Sequence, residues 1–140
     1  MGILSAGKYW IGDPCYVLGR KTTKFDWNEF CNFCFDGDPS GRKNEGVVTH
    51  QGITFAFYGT AHGDGGYYDL AGNEYGVDAG LLACIPLESI PNATEEEMDL
   101  GHIHEFEDEF ETSYRDGLIS FGHVNIDTEF KDMYDEEDDY

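Results

Sequence analysis

Basic residues are scarce in this chain. Only 8 Lys and Arg stand against 29 Asp and Glu, a formal net charge of −21. Such a field repels phosphate backbones and anionic lipid surfaces, so neither direct nucleic-acid binding nor membrane-surface binding is expected. No apolar run approaches the ~18 residues that a membrane-spanning helix needs. Residues 1–12 lack the charged start and apolar centre of a secretory leader, which points to the cytoplasm. In that reducing compartment the four cysteines are expected as thiols. Internal repeats and domain linkers are missing as well.

What is present argues for strands. At 140 residues the chain is most simply one domain, long enough to bury roughly two thirds of its unfolded surface. Its 18 glycines exceed ordinary usage of about 7%, and with 10 Phe and 9 Tyr they favour short strands joined by tight turns. The stretch 60–86 concentrates these features: two glycine-dense turns, two aromatic strand-like pieces and the apolar run from Ala79 to Ile85, which reads as a central strand buried on both faces.

Other strands are expected over 8–11, 47–49, 53–58, 65–70 and 74–77. From Ile103 to Thr112 acids and aromatics intermix. Phe106, Phe110 and Tyr114 fit a helix by spacing and a strand by parity. Strands are preferred, because Arg115-Asp116-Gly117 is a hairpin turn followed by the apolar Leu118 to Phe121. Asp26 is a good N-cap, and Trp27, Phe30, Cys31 and Cys34 form one stripe of an amphipathic helix over 26–35. Thr94 with Glu97 fits a capping box for one further helical turn. The expected class is therefore α+β, mostly antiparallel β: a sheet, sandwich or partly open barrel spanning 1–126. An acidic-aromatic tail follows over 127–140.

Charge is lopsided. Residues 1–70 carry 8 acids and 6 bases, net −2; residues 71–140 carry 21 acids and 2 bases, net −19. Solubility alone explains such a bias in many proteins. Here, however, aromatics lie among the carboxylates, which suits a surface that meets a basic protein. The candidate partner-binding residues are Glu105, Glu107, Asp108, Glu109, Phe110 and Glu111, with Asp135, Glu136, Glu137, Asp138 and Asp139 of the tail.

Four other constellations are weaker. Cys31-x-x-Cys34 has the spacing of a redox pair or half a zinc site, but both thiols sit on the predicted apolar stripe, where burial is the plainer reading. His102-x-His104 would place two rings on one side of a strand, near Glu105 and Glu107, as a metal site requires. No distant third ligand announces itself. Asp36-x-Asp38 is an incomplete echo of a calcium loop. Finally Asp13, Cys15, His62, Asp64 and Asp78 all lie at glycine-rich turns. They contain the types needed for a nucleophile, a base and an orienting group, and each acid is equally suited to capping its own turn. No cofactor is expected.

Gly12-Asp13-Pro14-Cys15-Tyr16, Gly63-Asp64-Gly65-Gly66-Tyr67 and Val77-Asp78-Ala79-Gly80 together resemble a group of small uncharacterised proteins of bacteria and their phages. The resemblance covers roughly 9–86. It implies a compact β-rich fold and carries no activity. The composition is also similar, by analogy alone, to that of acidic phage proteins that block host enzymes or defence systems. The leading expectation is thus a protein-binding inhibitor or modulator. It would present an anionic surface to a basic site on a host or defence protein, such as one that holds nucleic acid. The alternative is a small-ligand or nucleotide-binding module with hydrolytic chemistry at the glycine-rich turns.

Overall fold

The computed structural model describes residues 2–14, 46–50, 52–60, 65–77, 80–90, 95–99 and 101–128. Among them are eleven strands: β1 (Gly2–Leu4), β2 (Gly7–Gly12), β3 (Gly46–His50), β4 (Ile53–Gly59), β5 (Gly65–Asp69), β6 (Glu74–Val77), β7 (Leu81–Pro86), β8 (His102–Phe106), β9 (Phe110–Arg115), β10 (Leu118–Phe121) and β11 (Val124–Asp127). A 3-10 turn at Leu87–Ser89 and a four-residue helix α1 (Glu95–Met98) complete the described elements. The strands form two sheets, one ordered β1-β9-β10-β11-β5-β6 and the other β3-β4-β7-β2-β8. Every pairing for which a register is defined is antiparallel.

The two sheets share one core, as the period of two along each strand requires. The six-stranded sheet contributes Leu4, Tyr67, Tyr75, Val77, Phe110, Ile119, Phe121, Val124 and Ile126. The five-stranded sheet contributes Tyr9, Ile11, Ala56, Tyr58, Leu82, Cys84 and Phe106. Tyr58 Oη and Thr112 Oγ1 meet at 2.8 Å inside this core and pin the sheets together. The five-stranded sheet is apolar on its other face too, where Trp10, Phe55, Phe57, Leu81, Ala83 and Ile85 are buried. This is why β4 and β7 look almost wholly apolar. Their alternation is between two cores, not between core and water. Overlapping the run expected at 79–85, Leu81–Pro86 forms the central strand of its sheet.

Turn chemistry sets the registers. Asp116 (φ 50°) and Gly117 (φ 89°) both occupy the left-handed region, as the two-residue turn between β9 and β10 demands. Thr128 is buried, and its N–H and hydroxyl both donate to the Gly117 carbonyl, at 2.8 and 2.5 Å. Thr128 thus packs against the turn between β9 and β10.

The amphipathic helix expected over 26–35 lies outside the described residues and is not borne out; among the described residues no helix exceeds the four of α1. The 129–140 portion of the acidic tail lies outside them too. No described helix is long and apolar enough to cross a membrane.

Candidate functional site

The open side of the sandwich, where β8 at the edge of one sheet faces β5 and β6 at the edge of the other, gathers the polar chemistry. It begins with Asp69, the last residue of β5, which organises the turn to β6. Its Oδ1 accepts the N–H groups of Ala71 and Asn73, each at 2.9 Å. Its Oδ2 accepts the Asn73 side-chain amide at 3.0 Å and the Tyr75 hydroxyl at 2.8 Å. Burial alone would raise the Asp69 pKa. The bonds from Asn73, Tyr75 and Ala71 outweigh it and hold the carboxyl below its ordinary range. Tyr75 is pushed the other way, by burial first and then by the Asp69 bond and charge, so its hydroxyl stays protonated.

That single proton is committed to Asp69, which leaves the Tyr75 oxygen as an acceptor. His104 Nε2, 3.0 Å away, is therefore the donor. His102 Nε2, 2.8 Å from the Glu74 carbonyl, must donate as well. Both rings of the His102-x-His104 pair thus carry their neutral-state proton on Nε2 and use it to tie β8 to β6. The rings do share one side of the strand, with centroids 6.5 Å apart. Yet among the described residues no group of three or more His, Cys, Asp or Glu comes together as a metal site would require. The network cross-links the sheets. Its carboxylate is saturated and its phenol is locked. Cys84, fully buried in the core, has its thiol pKa raised by burial.

His104 gives the network a pH response. Burial, then the neighbouring His123, lowers its pKa below 6.5, against a smaller opposing pull from Asp69. A histidine kept neutral in the folded state stabilises it fully above the unfolded value. That contribution is lost as pH falls from about 6.5 through the lower folded value. Stability is therefore expected to decline over this interval in the parent chain and more shallowly in His104→Gln. Urea unfolding at a series of pH values measures both slopes.

Next to this seam lies an anionic cleft of about 380 Å³, lined by Glu105, Phe106, Glu107, Asp108, Phe110, Gly122 and His123. Its floor is a stacked aromatic pair. Phe106 ends β8 and Phe110 opens β9, with ring centroids 3.7 Å apart and planes 15° apart. Tyr9 packs edge-on against Phe110 at 5.3 Å. His123 lies over Phe106 at 4.9 Å and beside His104 at 6.0 Å. Gly122 allows this approach. At φ 61° it adopts a conformation that disfavours side chains, and a Cβ there would come within 2.9 Å of the Phe106 ring and 3.0 Å of Phe110 Cβ. Gly122→Ala is expected to cost about 2 kcal/mol through strain and overpacking, read as a lower midpoint in chemical denaturation.

Comparison with protein-family models, with curated proteins and with solved structures finds no match. The cleft has to be judged on its own chemistry. Among the described residues its lining has three carboxylates, no Lys or Arg, and an aromatic floor. A cationic side chain is the group such a surface accepts best, by charge-assisted hydrogen bonds and by contact with the ring faces.

The structure brings several of the expected partner-binding residues together. Glu105, Glu107 and Asp108 line the cleft, and Glu109 and Glu111 are exposed beside it. Phe110 also lines the cleft; it is 8% exposed and belongs to the core, so it supports the acidic bend from beneath. Residues 135–139 lie outside the described residues. So do Cys15, His62, Asp64 and Asp78 of the alternative catalytic set, and the Cys31–Cys34 and Asp36–Asp38 pairs. Asp13 is described, and is fully buried after β2. A larger cavity, about 600 Å³, opens between the β1–β2 turn, the start of β4 and the 3-10 turn; among the described residues Lys8 and Glu88 are its only charged lining residues. Asp69, Tyr75 and His123 were not singled out from the sequence. An Asp closing a strand before Gly72-Asn73 was a legible sign of turn capping. Nothing local announced that His123, distant in sequence, would join His104.

Proposed function

We propose that this chain is an acidic protein-binding modulator. Its bend between β8 and β9 engages a basic site on another protein, of the sort that otherwise holds nucleic acid. One observation carries the reading: Glu105, Glu107, Asp108, Glu109 and Glu111 are all exposed within seven residues, on a bend fixed to the core through Phe106 and Phe110. Preorganised carboxylates lose little freedom on binding, and they can replace phosphate oxygens in bonds to arginine. Opposite charge also speeds encounter and makes it salt-sensitive. The compositional analogy to acidic phage proteins that block host enzymes or defence systems directs the search for a partner toward such proteins.

The test is affinity capture from cells that carry the chain, at low and high salt, using the parent and a Glu105→Gln/Glu107→Gln/Asp108→Asn/Glu109→Gln variant as baits. A basic protein retained by the parent, released by salt or by competing DNA and lost with the variant is the expected result. A partner held equally by both baits would defeat the proposal.

A further inference from the structure

The acidic bend does not stand alone: it continues from a strand with an open edge. Among the described residues β8 is the last strand of its sheet, paired only with β2. Alternate residues of β8 turn their N–H and C=O groups away from β2, and among the described residues no strand takes them up. Sheet edges are commonly blunted by proline, lysine or a covering element. The five residues of β8, His102-Ile103-His104-Glu105-Phe106, include neither proline nor lysine, and Ile103 is 50% exposed.

Both ends of this edge open into cavities. One is the anionic cleft, and the other, about 430 Å³, is lined by Met98, Asp99, Gly101, His102 and Ile103. An extended peptide lying along β8, roughly 17 Å for five residues, would run from one cavity toward the other. Carboxylates mark each end, Asp99 just before the strand and Glu105, Glu107 and Asp108 at its close. Backbone pairing along an edge with side-chain recesses beside it is the geometry of strand addition.

We infer that β8 accepts an extended basic segment of a partner protein as a sixth strand, with cationic side chains seated in the two end cavities. This rests on the functional reading above and adds the manner of binding to it. Charge selects the occupant. A second copy of this chain would bring the same carboxylates to the edge, and like charges across paired strands are destabilising. An acidic peptide is rejected for the same reason, whereas lysine and arginine meet opposite charge at both ends.

The experiment uses the full chain and three short synthetic peptides. The first alternates lysine with valine and threonine. The second has the same sequence with alternate backbone nitrogens methylated, and the third replaces lysine by glutamate. Hydrogen exchange is followed at the β8 amides and affinity by calorimetry. The basic peptide is expected to protect the outward amides of β8, the methylated peptide to bind about tenfold more weakly because backbone bonds are lost, and the acidic peptide not to bind. Equal binding of the methylated peptide, or binding without protection at β8, overturns strand addition and leaves the acidic-bend reading intact. Failure of both basic peptides to bind removes both. Protection of the outward β8 amides before any peptide is added also overturns the proposal. It would assign the edge to a second copy if the protection depends on concentration, and to a segment of this chain if it does not.

Discussion

Replacing Trp10 by alanine is expected to cost about 4 kcal/mol of folding stability, the largest effect of any single change considered. Trp10 is completely buried on the second face of the five-stranded sheet. In β2 it lies opposite Ile85 of β7 and Ile103 of β8. Its indole N–H donates to the Met98 carbonyl at 2.9 Å, which ties the end of α1 to the sheet. Gly12 and Gly101 lie against its ring so closely that neither could carry a Cβ without displacement. Truncation removes that ring from a matched recess, for which large-to-small changes cost about 3–5 kcal/mol. The Met98 carbonyl loses the indole but keeps the Gly101 N–H at 3.1 Å, so the lost bond adds less than the packing does. Against a total stability of about 5–15 kcal/mol, this is a large fraction. Trp10→Phe keeps most of the volume and loses the donor, so its cost should be less than half as great. Guanidinium unfolding separates the two, provided the slope with denaturant stays the same.

The second large effect is expected at Asp69. Asp69→Ala orphans four donors at once: two backbone N–H groups, the Asn73 amide and the Tyr75 hydroxyl. Those near the surface recover water. The Tyr75 hydroxyl, inside the seam, does not. The expected cost is about 3 kcal/mol, the scale of losing bonds to a charged acceptor. A second readout distinguishes this network from simple packing. Freed from Asp69, the Tyr75 proton can turn to His104 Nε2, which requires the His104 proton to move to Nδ1. Nitrogen NMR of the ring should show that tautomer change in Asp69→Ala and not in Gly122→Ala. The pH dependence has a fixed sign as well. Asp69 has a folded pKa below its ordinary 3.8. Its contribution is present above that value and is lost as pH falls through the folded one. The acid limb of the stability curve should therefore flatten in the variant.

These residues also show what could be read from the sequence and what could not. The run at 79–85 was legible as a central strand because burial on both faces erases alternation. Arg115-Asp116-Gly117 was legible because few residues tolerate a left-handed turn. The acidic bend was visible as composition. Its construction was not. Phe106 and Phe110 share parity, so they look like neighbours on one face, yet the chain turns at 107–109 and places them in different sheets, stacked across the core. Spacing alone cannot distinguish one long strand from two strands that meet at a corner. The His104–Tyr75–Asp69 chain was hidden for a related reason: it is assembled by the approach of two sheet edges, and edge contacts leave no periodic mark in sequence.

On the proposed function, it is where the carboxylates stand, and not their number, that would make the bend a binding surface. Two variants with equal net charge test it most directly against one lysine-rich peptide. Glu105→Gln/Glu107→Gln/Asp108→Asn neutralises the cleft, and Glu88→Gln/Glu96→Gln/Asp116→Asn neutralises three exposed acids elsewhere. Calorimetry should show affinity falling about tenfold or more in the first and staying close to the parent in the second, since each charge-assisted bond contributes about 1.5–3 kcal/mol where geometry is set and little where it is not. Equal losses in the two variants would contradict the account, because they would make the interaction a matter of net charge alone.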